Sequence, residues 1–382
     1  MFDEVIAGIR KLFGDPPGHI SLHAPWFDKD DEDALVACVR STFVSSVGPE
    51  ITAFEKELAA FTGAPYAVAV GNGTAALHTA LMMTECGPGD LVITQPFTFI
   101  ATCNAIAYTG AQPVFLDIET ATLGLSPTAV LAWLEMECSM KGGICVHNAS
   151  GMRVRACVPM HSFGLPMHIN TLLSLCAEWN ITVIEDAAEA LGSYLNGKHM
   201  GTFAPISTFS FNGNKIITCG GGGALLFHDE GMAKRAKHLT TQAKVPHQWN
   251  FDHDRVGYNY RMPNLNAALL RSQMRKLPHN LASKRALHKG YIALFANTPW
   301  TLVTEPVNTQ SNFWLNAVLL RNKQERDAFL AACHAADIHA RPAWELATDQ
   351  VMYSSALRGD LSTSRDIQDR LVNLPSSAQP AT

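Results

Sequence analysis

A lysine close to a run of glycines is the feature of this sequence with the clearest potential for chemistry. Lys215 follows the strand-like run STFSFN and precedes four glycines, Gly220–Gly223. Glycine lets the backbone approach a ligand closely. A lysine beside such a loop can lose solvent, which lowers its pKa and makes it a usable nucleophile for a Schiff base. Most lysines are solvated surface charges, so this segment alone leaves both interpretations open.

Acidic residues stand at the end of an apolar strand-like run in Val183–Glu189, VIEDAAE. In open α/β sheets, ligands bind at the carboxyl ends of the strands, so Asp186 is placed to pair with a buried cation. The protonated pyridine nitrogen of pyridoxal phosphate (PLP) is such a cation, and its protonation makes the ring an electron sink. A helix N-cap aspartate is the alternative interpretation.

The segment Gly71–Leu77, GNGTAAL, joins a strand to a helix and favours phosphate binding by the first backbone amides of that helix. It lacks the Gly-Lys-Ser/Thr of a P-loop. It also departs from the dinucleotide-binding glycine motif at Ala76, although some such sites tolerate alanine there. A nicotinamide enzyme therefore competes on this segment. Asp90, near the spacing expected for a ribose-binding acid, lies in a turn before a strand, which counts against that competitor.

The three segments are more informative together than apart. A phosphate cradle, an acid for a pyridine nitrogen and a lysine follow one another along the chain. These are the three contacts that a PLP site needs.

The elements around these motifs indicate an α/β fold. Short apolar runs alternate with helical patterns, which is typical of a mostly parallel sheet covered on both faces. Later segments, NFWLNAVLL and QERDAFLAACHAADI, suggest a smaller α/β lobe. We expect an N-terminal arm and helix over 1–40, a large PLP-binding domain over 41–270 and a small C-terminal domain over 271–382.

Composition excludes several classes of protein. The net charge is -5 and the pI about 6.3, which disfavours nucleic acid as a partner. Nine cysteines without CxxC pairs favour free thiols, and no metal is expected. The N-terminus does not resemble a signal peptide, and no apolar stretch is long enough for a bilayer. We expect a cytoplasmic protein with no membrane partner.

Five ordered motifs resemble the DegT/DnrJ/EryC/StrS family of PLP-dependent sugar aminotransferases. The resemblance runs from Leu22 to the segment Asn373–Ser377. It implies PLP-dependent transferase fold type I, like aspartate aminotransferase, and a homodimer with shared active sites. The motifs are Gly71–Thr74, Thr98–Asn104, Glu185–Ala188, Ser210–Lys215 and Gly257–Met262.

The resemblance also implies a role for each matching residue. Lys215 and Asp186 are the implied catalytic residues, as the Schiff-base lysine with its proton-shuttle role and as the partner of the pyridine nitrogen. Glu189 stands where many members have Gln or His, close to the cofactor. His161 matches a position near the site, with a core histidine as the alternative. The remaining implied cofactor contacts are Gly73, Thr74 and Ser210 to the phosphate, Phe99 to a ring face, and Asn259 to the phosphate of the other subunit's cofactor.

The resemblance implies transfer of an amino group from L-glutamate to a nucleotide-linked keto sugar. Ser41–Gly48, the ACVPMHSFG segment and Lys244–His247 are similar to the branch acting on UDP-linked 4-keto-6-deoxy-N-acetylhexosamines in legionaminic acid and bacillosamine biosynthesis for surface glycans. A GDP-linked sugar is the alternative. Further residues that could border the sugar, the nucleotide or a partner subunit, with ordinary packing as the alternative, are His247, Trp249, His253, Arg341 and Trp344.

Two other functions are alternatives for this sequence. A PLP-dependent keto-sugar dehydratase of the same family has histidine in place of the Schiff-base lysine, and Lys215 counts against it. A non-catalytic PLP-binding regulator should lack one of the cofactor contacts or carry a basic DNA-binding extension. Neither feature is present in the sequence.

Overall fold

The structure, a computed structural model, describes residues 2–380. Eleven α-helices are found in this range. They are α1 (Phe2–Leu12), α2 (Lys29–Arg40), α3 (Pro49–Thr62), α4 (Gly73–Met83), α5 (Ala101–Tyr108), α6 (Pro127–Glu137), α7 (Ile169–Glu178), α8 (Glu230–Thr240), α9 (Asn264–Phe295), α10 (Lys323–Ala335) and α11 (Ser362–Arg370).

Seventeen strands are found in the same range, and single 3-10 turns lie at Ser162–Gly164, Ala347–Asp349 and Val351–Tyr353. The strands are β1 (Tyr66–Val70), β2 (Asp90–Thr94), β3 (Gln112–Phe115), β4 (Cys138–Lys141), β5 (Ile144–His147), β6 (Arg153–Val158), β7 (Thr182–Asp186), β8 (Tyr194–Leu195), β9 (Lys198–His199), β10 (Ile206–Ser210), β11 (Gly223–Phe227), β12 (Thr301–Leu302), β13 (Thr309–Gln310), β14 (Asn316–Leu319), β15 (Arg341–Pro342), β16 (Leu357–Arg358) and β17 (Leu371–Leu374).

A ten-stranded sheet forms the centre of the molecule, with the main order β1-β11-β10-β7-β6-β2-β3-β16. Pairs from β10 through β7, β6, β2 and β3 to β16 are parallel, whereas β11 runs antiparallel to β1 and β10. Two apolar clusters pack on this sheet. Burial on both faces explains why the strands read as continuous apolar runs, and the mostly parallel sheet predicted from them is confirmed.

Local sequence rules account for the helices that lead into the sheet. Asp28 caps α2 with a complete capping box, in which Asp31 returns a side-chain contact to the Asp28 amide. Pro49 begins α3, and Gly63 ends it in the left-handed region at φ 79°. These helices then pack along α9, the 32-residue helix that leaves the central sheet.

A second sheet of four strands, in the order β12-β14-β17-β15, lies in the C-terminal part. Its core includes Val318 and Val372 together with Ile6 and Ile9 of α1, so the N-terminal helix packs against C-terminal elements. The division at 270/271 stays a prediction. Within residues 2–380, no helix has both the length and the apolar composition needed to cross a membrane.

Candidate active site

Seven of the eight residues expected to contact PLP line one cavity of about 310 Å³. The cavity lies at the carboxyl ends of β7 and β10 and at the start of α4, because the parallel strands end at the same edge of the sheet. The seven residues are Gly73, Thr74, Phe99, Asp186, Glu189, Ser210 and Lys215.

The start of α4 and the end of β10 form one end of this cavity. Asn72 caps α4 by accepting a hydrogen bond from the Ala75 amide at 2.8 Å, which leaves Gly73 and Thr74 in the first helical turn beside Ser210. A Cβ atom on Gly73 would lie only 2.9 Å from the Ser210 Cβ. A helix N-terminus, a hydroxyl and a glycine without side-chain bulk together fit a phosphate group.

The glycine run Gly220–Gly223 packs against the turn that forms this end of the cavity. A Cβ atom on Gly223 would lie 2.4 Å from the Asn72 carbonyl oxygen. Glycine at this position therefore lets β11 approach the turn before α4. Gly220 adopts a positive φ of 81°, a conformation that suits glycine.

Asp186 is a buried acid at the last position of β7, with 2% of its surface exposed. Its Oδ2 accepts a hydrogen bond from the Thr102 hydroxyl at 2.7 Å, and its Oδ1 accepts one from the Ala188 amide at 3.2 Å. Burial raises the pKa of this carboxyl, while the Thr102 hydroxyl and the Ala188 amide act in the opposite direction. A cation in the cavity would compensate the buried charge, and the pyridinium nitrogen of PLP is a cation of this kind.

Lys215 reaches the cavity between a carboxylate and an indole. Its Nζ lies 3.1 Å from Glu189 Oε1 and 4.1 Å from the centroid of the Trp314 ring. Trp314 is held in turn, because its Nε1 donates to the Asn214 carbonyl at 2.6 Å. The side-chain amide of Asn280 donates to the Ile216 carbonyl at 3.1 Å, so the chain is anchored on both sides of the lysine.

Glu189 is buried, with 3% of its surface exposed, and is fixed by more than the lysine. Its Oε2 accepts a hydrogen bond from the Phe163 amide at 2.9 Å, and its backbone carbonyl accepts one from the Asn312 side chain at 2.7 Å. Burial raises the pKa of its carboxyl to about 7, against the opposing charge of Lys215. The carboxylate thus titrates near neutrality in the cofactor-free protein.

His161 lies outside the cavity lining and is fully buried. Its Nε2 lies 3.2 Å from Glu185 Oε2, and Glu185 also accepts the amides of Gly201, Phe203 and Ala204 at 2.8, 2.7 and 2.6 Å. Burial alone would raise the pKa of Glu185, but the contacts with His161 and these amides more than offset it and lower the pKa. His161 is nevertheless next to the site, because its amide donates to the Asp186 carbonyl at 3.1 Å. Both interpretations of His161 therefore stay predictions.

Of the other residues singled out in the sequence, one lines the cavity and the rest do not. Trp344 lines the cavity, where it stacks on Phe163 with ring centroids 4.8 Å apart. Arg341 is exposed on β15 and does not line it. Asn259, the eighth expected cofactor contact, is also exposed outside the cavity of its own chain. His247, Trp249 and His253 lie in an exposed segment and do not line it either.

Among the residues of the site for which the sequence predicted no role are Thr102, Trp314 and Asn312. Thr102 lies inside a quoted motif, and its position one helical turn after Thr98 could have indicated a polar face toward the cavity. Trp314 and Asn312 come from NFWLNAVLL, about a hundred residues beyond Lys215 in the chain. Their part in the site depends on the folding of the C-terminal region against the central sheet.

Two relatives in sequence and one solved structure match nearly the whole chain. The chain is 34% identical over 364 residues to EpsN of Bacillus subtilis (strain 168), which covers 94% of this chain and 91% of EpsN. It is also 34% identical over 360 residues to the GDP-perosamine synthase of Vibrio cholerae, with 94% of each chain covered. The solved structure of the aminotransferase TlmJ from Streptoalloteichus hindustanus has the same fold, with a TM-score of 0.85 at 24% identity over 94% of each chain.

The model of the DegT/DnrJ/EryC1/StrS aminotransferase family matches residues 25–381, nearly the whole chain. The match covers the start of α4, the acid at the end of β7 and the lysine after β10, which the structure brings into one cavity. The chain therefore belongs to the DegT/DnrJ/EryC1/StrS aminotransferase family, and its cofactor is pyridoxal phosphate.

Proposed function

We propose that this protein transfers an amino group from L-glutamate to C4 of a nucleotide-linked 4-keto-6-deoxy sugar. The observation that carries the proposal is the convergence of Lys215, Asp186 and the first turn of α4 on one cavity. These groups fit the aldehyde, the pyridine nitrogen and the phosphate of PLP respectively. When bound, PLP supplies a ring that accepts the electrons of a bond broken at the substrate carbon.

The protein's own residues would then hold the reactants and move protons. Asp186 would hold the ring nitrogen, and Gly73, Thr74 and Ser210 would hold the phosphate. The Lys215 Nζ lies inside the cavity, where, once free, it would move a proton between the substrate carbon and the cofactor's C4′ in each half-reaction. Phe99 has 54% of its surface exposed and lines the same cavity, where its ring can cover a planar ligand.

Two lines of evidence bear on which nucleotide and which sugar the substrate contains, and each favours a different substrate. The sequence motifs favour a UDP-linked N-acetylhexosamine, destined for a legionaminic acid or bacillosamine type of surface glycan. The GDP-linked alternative is supported by the relatives from Vibrio cholerae, Caulobacter vibrioides and Escherichia coli O157:H7, which are named GDP-perosamine synthases and are 32–34% identical to this chain.

The test is to supply PLP, L-glutamate and either UDP-4-keto-6-deoxy-N-acetylglucosamine or GDP-4-keto-6-deoxymannose, with mass spectrometry of the nucleotide sugars. We expect an amino product from one of the two and none with Lys215→Ala. An amino product from neither sugar, with L-glutamate also leaving the cofactor spectrum unchanged, would refute the proposal. Formation of a dehydrated sugar instead would favour the keto-sugar dehydratase.

We further propose that two copies of the chain share their sites. Asn259 lies outside the cavity of its own chain, which is where a residue serving a second copy must lie. Nearby, Trp249, Phe251 and Val256 are 70%, 76% and 82% exposed, and clustered exposed apolar side chains are typical of protein interfaces. Light scattering should give a dimer mass, and Asn259→Ala should weaken PLP binding without changing that mass. The cytoplasmic location stays a prediction.

A further inference from the structure

A buried ion pair inside the cavity has a consequence for the reactivity of the lysine. Lys215 Nζ and Glu189 Oε1 are 3.1 Å apart, with 12% and 1% of their side-chain surfaces exposed. Little water reaches either group, so each is the main compensation for the charge of the other. An ammonium has no lone pair for attack on a carbonyl, so a lysine nitrogen in such a pair must first lose a proton.

We infer that Glu189 is a positioning residue that holds the free Lys215 side chain as an ammonium and accepts its proton when a carbonyl compound condenses with the lysine. The inference rests on the proposed function for its biological meaning, although not for its test. It concerns the state of the chain in which the lysine carries no cofactor.

The geometry around Glu189 supports this role. The Phe163 amide donates to Oε2 at 2.9 Å, and the Asn312 side chain holds the Glu189 carbonyl at 2.7 Å. The carboxylate is therefore fixed from the side opposite the lysine, with Oε1 directed at Nζ. On the lysine side, the Trp314 ring lies 4.1 Å from Nζ and favours a cation there.

The proton balance of condensation follows from this arrangement. The ammonium must lose one proton before its nitrogen can form a bond to the carbonyl carbon, and Glu189 is the adjacent acceptor. Burial places the pKa of the Glu189 carboxyl at about 7, so it can hold that proton near neutral pH. The carbonyl oxygen then leaves as water with two of the three ammonium protons, which Glu189 can pass to it one after the other. The third proton stays on the nitrogen of the imine, and Glu189 is a carboxylate again. No oxidant or reductant is required.

Other charged groups also act on the pair and must stay unchanged in a test. Asp186 acts on both Lys215 and Glu189, and it is present in every variant described below. His23 also faces Lys215, but burial, together with the charges of Lys284 and Lys215, lowers its pKa well below the usual range, so it is neutral near pH 7. Glu189 is thus the acid whose removal should change the lysine most.

The experiment measures the rate at which acetic anhydride labels Lys215 in the cofactor-free protein as a function of pH, by peptide mass spectrometry. The exposed Lys141 in the same samples corrects for the reagent. We expect Glu189→Gln to lower the midpoint pH of Lys215 labelling by about 1–3 units, because a carboxylate within about 4–6 Å stabilises a cation by that amount. Labelling near pH 8 should rise about tenfold or more.

Two further variants separate charge from structure. Glu189→Asp keeps the charge, so its midpoint pH of Lys215 labelling should stay above that of Glu189→Gln. Glu178→Gln removes an exposed acid elsewhere and should leave the midpoint pH at the value of the unsubstituted protein. If Glu189 were only a structural support, Glu189→Gln would raise the rate equally at every pH without moving the midpoint. Such a result, or equal midpoints in all variants, would overturn the inference. Because no cofactor, donor or sugar is present, failure of the proposed transamination would not affect this result.

Discussion

The substitution Gly73→Ala tests the phosphate end of the site. The added Cβ would lie 2.9 Å from the Ser210 Cβ and 3.1 Å from its Oγ, closer than side-chain carbons ordinarily approach. Ser210 or the start of α4 must therefore move by a few tenths of an ångström. Overpacking of this kind costs about 1–3 kcal/mol. That cost lowers the stability of the protein with or without PLP, and affinity changes because a displaced Ser210 hydroxyl or α4 amide makes a weaker hydrogen bond to the phosphate. Since a hydrogen bond to a charged group contributes about 1.5–3 kcal/mol and about 1.4 kcal/mol is a factor of ten, we expect affinity for PLP to fall by about 10- to 150-fold.

The assay is a titration of the cofactor-free protein with PLP, followed by the visible absorbance of the lysine-bound cofactor. Pyridoxal, which has no phosphate, serves as the comparison ligand and should be affected much less. Gly87→Ala is the matched control, because a Cβ there meets nothing within 4 Å. If Gly73→Ala weakened PLP and pyridoxal equally, or changed neither, the assignment of the phosphate to the start of α4 would be refuted.

Three other substitutions or conditions probe the rest of the site. Asp186→Asn should slow the half-reaction with L-glutamate by about 100-fold or more, because breaking a buried charge pair costs about 3–5 kcal/mol. The rate is measured by stopped-flow absorbance, and a loss below tenfold would contradict the pairing of Asp186 with the pyridine nitrogen. Thr102→Val removes the 2.7 Å hydrogen bond to Asp186 and should slow the same step by about 10- to 150-fold, since a hydrogen bond to a charged group contributes about 1.5–3 kcal/mol. An unchanged rate would show that this hydroxyl does not contribute to the half-reaction. The cofactor-free protein should lose stability as pH rises from about 4.5 to about 7, because the folded pKa of Glu189 is raised to about 7 and a raised pKa favours folding only while the group is protonated. The loss from this group is about 3 kcal/mol, and urea unfolding should show a smaller loss in Glu189→Gln; an equal loss in both proteins would contradict the assignment.

The central sheet and the main chemical residues could be predicted because their evidence is local in the sequence. The strand to Asp186 is a continuous apolar run, and the turn at Gly71–Thr74 reads as a strand followed by a capped helix start. Parallel strands then bring Asp186 and Ser210 to the same edge of the sheet, where Thr208 and Asp186 are paired across β10 and β7. Neither step requires knowledge of distant parts of the chain.

The remaining parts of the site depend on contacts that no local pattern contains. Trp314 covers Lys215 because the segment around Asn312 is fixed by Glu189 and Leu191 carbonyls, more than a hundred residues earlier in the chain. The packing of α1 against C-terminal strands is similarly non-local, so the sequence predicted an N-terminal arm and helix without its packing partner. The β4–β5 hairpin has few apolar alternations and was not predicted.

The acids of VIEDAAE show most clearly why a motif does not determine a role. Glu185 and Asp186 are neighbours on β7, so their side chains point to opposite faces of the sheet. Glu185 meets three backbone amides and His161, which lower its pKa and make it a structural anchor. Asp186 meets one hydroxyl and one amide, and burial raises its pKa. Glu189 is paired with Lys215 at 3.1 Å. The difference lies in the number of hydrogen-bond donors that the surrounding fold supplies to each carboxyl. Glu185, which has the most donors, stabilises the fold. Asp186 and Glu189, whose pKa values are raised, face the cavity, where a cation can compensate their charge.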